Sequence, residues 1–184
     1  SLGKWPIGVN DARGFLLSRL FAIYCSQAID LMLGGWDFEV IDTWLDEAGF
    51  PRAFETMDES GLDVCLAIFP QVLQQLHIDP MPCLALQQLV RQKALGKKTG
   101  LGFYTYDKQG RKTGVNRSVL HLFHSNVRTV PSSSSLSSSS STAAAVASEE
   151  QRGEESHKRD IVDYCVLAIV NSAASCLGGV ARAD

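Results

Sequence analysis

Two ammonium groups stand between glycines in Gly96-Lys97-Lys98-Thr99-Gly100, at what reads as a helix end. Lysines and free backbone donors in that arrangement could hold an anion. The same spacing suits a solvated loop whose lysines are favoured by the helix C-terminal dipole. Gly100-Leu101-Gly102 is no dinucleotide fingerprint, because it follows a helix rather than a strand and brings neither a third glycine nor a downstream acidic ribose contact. His121 and His124 share a helical face at i, i+3, yet no carboxylate or cysteine is near enough in sequence to complete a metal shell, so no metal site is expected. Ser18 lacks the Gly-x-Ser-x-Gly elbow and an adjacent base, which argues against a hydrolase nucleophile. Arg19 and Asp30 are charges on an otherwise apolar helix and are expected in structural ion pairs, since burying them unpaired would be costly. Residue types and spacing alone therefore assemble no complete active site.

The element that must position these groups is the stretch from Gly14 to Gly35. Arg19, Ser26 and Asp30 fall on one narrow stripe, while Phe15, Leu16, Leu20, Ile23, Tyr24, Ala28, Leu31 and Met32 fill the remaining faces. Such a helix has to be wrapped by others, and Gly34-Gly35 supplies the residue type that ends it in the left-handed conformation. Its length would suit a membrane span, but an arginine and an aspartate inside it read instead as a buried helix of a soluble domain. Before it, residues 4–13 read as an extended lead-in, with Asn10 or Asp11 as N-cap. After it, Asp37 caps a helix carrying Val40, Ile41, Trp44, Leu45 and Ala48 and ending at Gly49. A third helix is expected from about Gly61 to His77, kinked or broken at Pro70. Asp79-Pro-Met-Pro82 precedes a helix bearing Leu86, Leu89, Val90 and Ala94, closed by Gly96. Gly96 to Tyr106 reads as a loop of short extended character turning at Asp107 to Gly110, and Asn116 caps a last short helix with Val119, Leu120, Phe123 and Val127. The expected fold class is all-α, a helical bundle with a short extended glycine and aromatic loop.

Composition narrows the function. A net charge of -3 leaves no electrostatic footprint for nucleic acid. The five cysteines (Cys25, Cys65, Cys83, Cys165, Cys176) are odd in number and never spaced Cys-x-x-Cys, which suits reduced core thiols inside a cell. No cleavable signal sequence is visible, and a chain that opens without methionine and stops in mid-pattern reads as part of a longer polypeptide. From Pro131 the composition collapses into serine and then alanine, which cannot bury enough apolar surface to offset its ordering entropy, so 131–159 is expected to be a disordered linker. Beyond it the opening helix recurs: Leu16 aligns with Ile161, Leu20 with Cys165, Tyr24 with Ile169, Ala28 with Ala173 and Gly34 with Gly179. The reading is a first domain at 1–130, a linker at 131–159, and at 160–184 the start of a second copy that leaves a bare apolar face.

Several stretches together resemble the C-terminal domain of the L-3-hydroxyacyl-CoA dehydrogenases. They are Asp11-Ala-Arg-Gly14-Phe15, Leu17-Ser-Arg19-Leu20, Gln27-Ala28 with Gly34, Ile41-Asp42, Gly49-Phe50-Pro51, Asp58 with Gly61-Leu62-Asp63, and Leu95 to Tyr104. The partial second copy looks like the duplicated region of the multifunctional fatty-acid oxidation enzymes, where an enoyl-CoA hydratase half precedes the dehydrogenase. The resemblance implies a domain that closes an acyl-CoA cleft against an upstream Rossmann domain, which would bind NAD and carry the catalytic histidine and its glutamate; no cofactor is expected on this chain itself. It implies hydride transfer from an L-3-hydroxyacyl-CoA to NAD in the parent enzyme, an inactive isolated chain, and a peroxisome-like or mitochondrial location. Single-domain relatives pair through this domain, which implies a homodimer.

Two departures from the family pattern stand out. The family reads Asn-Arg where this chain has Ser18-Arg19, and that asparagine faces the catalytic histidine and the substrate, so Ser18 is the candidate catalytic position. Lys97 and Lys98 are the candidate substrate-binding residues. Arg52-Ala53 replaces a customary Gly-Pro, and the segment up to Asp58 is one residue short. Two alternatives stay open: a helical dimerisation module of an enzyme that has lost dehydrogenase activity, and the C-terminal domain of a different hydroxy-acid dehydrogenase.

Overall fold

The computed structural model describes residues 16–119, 156–171 and 173. Five helices come first: α1 (Leu16–Leu33), α2 (Phe38–Glu47), α3 (Ala53–Ser60), α4 (Leu62–Gln75) and α5 (Cys83–Arg91). A 3-10 turn over Lys97–Thr99 leads into the antiparallel hairpin β1 (Tyr104–Tyr106) and β2 (Lys112–Val115), and helix α6 spans 156–171. The fold is therefore helical with one small hairpin where an extended loop is expected.

Helix α1 is wrapped as its composition demands, packing on α2, α3 and α4. Ala22, Ile23, Cys25, Ala28, Ile29 and Met32 are sealed from solvent. It is long and apolar enough to cross a membrane, but in the folded chain these faces are taken up by other helices. The narrow polar stripe is not a single exposed line: Ser26 is buried and donates to the Ile23 carbonyl, whereas Asp30 is exposed. Neither Arg19 nor Asp30 enters the ion pair expected of it among the described residues; Asp30 accepts from the Tyr164 hydroxyl at 3.1 Å.

Helix α3 has no counterpart in the sequence reading. Its eight residues supply a short apolar face, Ala53, Phe54 and Met57, and its N-cap residue Arg52 makes no side-chain cap bond. The cap comes from α2 instead: Asp42 accepts from the amides of Phe54 at 3.0 Å and Glu55 at 3.1 Å. Helix α4 runs through Pro70 without a break. The missing donor costs about 3 kcal/mol, and the burial of Phe69, Val72 and Leu73 on either side of it, each worth roughly 1.5–3 kcal/mol, exceeds that cost.

Four helices end in the same way. The amides of Gly35, Gly49, His77 and Lys93 bond to the carbonyls of Met32, Asp46, Gln74 and Val90, and the next residues reach back to Leu31, Leu45, Leu73 and Leu89. This double closure is the Schellman motif. Lys93, at φ 60°, therefore ends α5, not Gly96. The Asp107 turn forms as expected, its carboxylate taking the amides of Gln109 and Arg111. Asn116 caps the amide of Ser118, and the continuation of that helix, with His121 and His124, lies outside the described residues, as does the serine tract.

Candidate functional site

The Lys97–Thr99 turn is held over the junction between α3 and α4. Gly96 enters it at φ 91°, with its backbone so close to Asp58 that a Cβ there would collide with the Asp58 main chain. Lys97 pairs with Glu59 at 3.2 Å, and Lys98 pairs with Asp63. The Thr99 hydroxyl accepts from the Leu95 amide at 3.1 Å and lies 3.1 Å from the carbonyls of Gly96 and Leu101, which ties the turn to itself. Both lysines are exposed, so these pairs orient the ammonium groups more than they stabilise the fold. The lysine bond holds the Asp63 carboxyl below its ordinary value.

Beneath the turn lies a carboxylate that sequence reasoning did not single out as a buried charge. Asp58 is fully enclosed and accepts from the amides of Phe103 at 3.0 Å and Tyr104 at 2.9 Å and from the Tyr106 hydroxyl at 3.0 Å. Its neighbour Asp42, besides capping α3, takes the Tyr104 hydroxyl at 2.9 Å. Burial pushes both carboxyls up to about 6, against the opposing pull of the donors that surround them. The visible signal was positional: Asp42 stands four residues after Phe38 and three before Leu45, and Asp58 four after Phe54, so each lies on its helix's inward face. Phe38, Phe54, Phe103 and Tyr104 close around them, with Phe54 and Phe103 rings 4.8 Å apart. These groups clamp β1 onto α2 and α3 and so fix where Lys97 and Lys98 stand.

The clamp also decides what Gly100-Leu101-Gly102 is for. A Cβ at Gly102 would strike the Asp58 carboxylate, so the glycine admits a carboxylate to the backbone, not a phosphate. The paired strands form a two-stranded antiparallel hairpin, with none of the strand-to-helix geometry that receives a dinucleotide. Gly100-Leu101-Gly102 therefore does not fit the pyrophosphate of NAD.

Ser18 stands elsewhere. It is half-buried near the described start of α1, next to the exposed Leu17; the N-cap expected at Asn10 or Asp11 lies outside the described residues. Phe21, one turn further on, packs edge-on against Phe69 of α4 at 5.7 Å. Asp63, which holds Lys98, is six residues before Phe69, about 9 Å along α4 at 1.5 Å per residue. No described bond joins Ser18 to either lysine, whose partners are Glu59 and Asp63. The four cysteines within the described residues are unpaired and buried, and burial pushes Cys65 and Cys165 up to about 12.

Comparison with known proteins gives this geometry a context. A family model described as "3-hydroxyacyl-CoA dehydrogenase, C-terminal domain" matches residues 14–106, from the start of α1 to the end of β1. The fatty acid oxidation complex subunit alpha of Idiomarina loihiensis is 31% identical over 176 residues, which are 95% of this chain and 21% of that protein. The subunit of the same name from Shewanella oneidensis is 36% identical over 118 residues, 64% of this chain and 17% of that one. The chain thus spans about a fifth of the length of these relatives. Among solved structures, the dehydrogenase part of multifunctional enzyme 1 from C. elegans superposes with a TM-score of 0.62 at 22% identity, covering 98% of this chain and 36% of that one. That likeness is one of fold.

Proposed function

We propose, since this chain belongs to the family of 3-hydroxyacyl-CoA dehydrogenase C-terminal domains, that it is the substrate-closing part of a longer NAD-dependent L-3-hydroxyacyl-CoA dehydrogenase of fatty-acid β-oxidation. The observation that carries this reading is that the matched segment ends in the Lys97–Thr99 turn and β1, which Asp58 and Asp42 lock to the helices as one unit. The length of the bacterial relatives supports a parent several times larger, with room for a Rossmann domain and an enoyl-CoA hydratase half. NAD belongs to that remainder. In the parent, Ser18 presents one hydroxyl where the family carries an asparagine amide, and being shorter it reaches the substrate through a water. Lys97 and Lys98 offer their ammonium groups to the anionic end of an acyl-CoA. The protein works inside the cell; a peroxisome-like or mitochondrial site is the finer expectation, which imaging of the tagged parent would test.

The test is turnover. The parent polypeptide should oxidise NADH with a 3-ketoacyl-CoA, while residues 1–184 alone should neither turn over nor bind NAD at micromolar concentration by calorimetry. A parent without turnover would favour a helical module whose enzyme has lost activity. Turnover with free hydroxy acids and none with thioesters would favour a different dehydrogenase.

A further inference from the structure

Residues 91–112 carry seven lysines and arginines and one acid, Asp107, a surplus of six positive charges in a chain whose net charge is -3. All seven are exposed, and the fold sorts them. Three lysines are pinned: Lys112 meets Glu55 at 2.8 Å, Lys97 meets Glu59 at 3.2 Å, and Lys98 meets Asp63. Those acids stand four residues apart along α3 and the start of α4, so the ladder fixes β2 and the 3-10 turn in place. The hairpin tip is different. Lys108 sits in the turn that the Asp107 carboxylate closes, and it has no ion-pair partner among the described residues. Arg111 gives Nε to Asp107 at 2.8 Å, which leaves both Nη groups unbonded among the described residues and the side chain 76% exposed. Gly110, between them, lies so close to the Lys97 stem that an added Cβ would stand 3.0 Å from Lys97 Cε. The tip is thus laid beside Lys97, and the like charges gathered there repel one another until an anion arrives.

We propose that the hairpin tip is a phosphate-binding station, in which Lys108 and the free edge of Arg111 join Lys97 to hold the phosphates of coenzyme A and so select CoA thioesters over thioesters without a nucleotide. The inference rests on the proposed function, which supplies the thioester. Guanidinium edges and ammonium groups are the donors that phosphate oxygens accept best. Lys97 and Lys108 stand on different turns, so a ligand with several phosphates matches the spread of donors better than a single small anion. A lipid surface would need apolar anchors, and Leu101, 38% exposed, is the one exposed large apolar side chain in residues 91–112.

Lys108→Glu and Lys108→Arg should be made in the parent polypeptide and assayed with one 3-ketoacyl group carried either on coenzyme A or on pantetheine, which has no phosphate. Lys108→Glu should raise KM for the CoA ester roughly fivefold at unchanged kcat, the effect of losing an exposed ion pair made equally in the ground and transition states. KM for the pantetheine ester should stay where it was, and Lys108→Arg should restore the CoA value. A KM that rises equally for both esters, or for neither, would overturn the phosphate station and, because such a parent turns over, spare the dehydrogenase reading. A parent without turnover whose calorimetric affinity for coenzyme A falls in Lys108→Glu would do the reverse, and one whose affinity is unchanged would overturn both. Inorganic phosphate bound as tightly as coenzyme A, with the same dependence on Lys108, would mean an adventitious ion only and overturn the station. Lys108-dependent sedimentation with vesicles of anionic lipid, with neither KM changed, would assign the tip to a membrane and overturn it as well.

Discussion

At the scale of single residues, the molecule depends on two aspartates that take charge into the core. Asp58 satisfies two backbone amides and a tyrosine hydroxyl at once. Asp58→Ala should therefore cost about 3 kcal/mol or more in urea unfolding, because three buried donors lose their acceptor together. Loss below 1 kcal/mol would mean that water replaces the carboxylate freely. The pH dependence follows from the raised carboxyls. In the folded chain Asp42 and Asp58 hold a proton up to about pH 6, whereas the unfolded chain releases it near the ordinary aspartate value of about 3.9. The stability these groups contribute is thus full below about pH 4 and is lost as pH rises through about 6, by on the order of 2–3 kcal/mol for each. Glu55, Asp63 and Asp107 have lowered values and act in the opposite sense at lower pH. Denaturant titrations between pH 4 and 6.5 should show a downward slope for the wild type that is shallower in Asp42→Asn. Equal slopes would contradict the cause assigned here, burial of the charge.

At the scale of elements, most helix starts and ends obey local rules, and the exceptions show where tertiary contacts intervene. Asp37 caps α2 by bonding the Glu39 amide at 2.8 Å, as its position in sequence demands. Helix α3 is capped by a residue more than ten positions earlier, and no window of sequence that short could reveal it. His77 and Lys93 occupy the left-handed C′ positions that glycine fills in α1 and α2. That conformation costs a side chain about 1–2 kcal/mol, and glycine's extra chain entropy returns about 0.5–1 kcal/mol of the relief. Lys93→Gly should therefore stabilise the chain by roughly 0.5–1 kcal/mol, seen as a higher urea midpoint at unchanged slope. A lower midpoint would show that the lysine side chain has a role at the helix end.

At the scale of the whole molecule, α6 packs back on the N-terminal helices. Ile161 and Cys165 are buried, Lys158 pairs with Glu47 at 2.6 Å, Tyr164 reaches Asp30, and the His157 ring lies 5.4 Å from Trp36. These contacts lay α6 against α1 and α2. Its outer face still shows Tyr164, Leu167 and Val170, and we propose that pairing of two chains covers that face. Sedimentation at micromolar concentration should show a dimer, and truncation at Pro131 should lower the melting temperature and change the association state. A monomer in both chains with unchanged helix content would sink the pairing. What the sequence determined by itself is whatever depends on neighbours along the chain: the buried character of α1, the caps of α2, the Asp107 turn, and the residue pattern that marks the family. What only the tertiary structure decided depends on groups distant in sequence: the capping of α3 by Asp42, the survival of α4 through Pro70, and the anchoring of the lysine turn by Asp58. The physical reason is range. Helix periodicity and turn chemistry act over a few residues, whereas a buried carboxylate recruits whichever donors packing brings within 3 Å, and these stand 12 to 48 positions away.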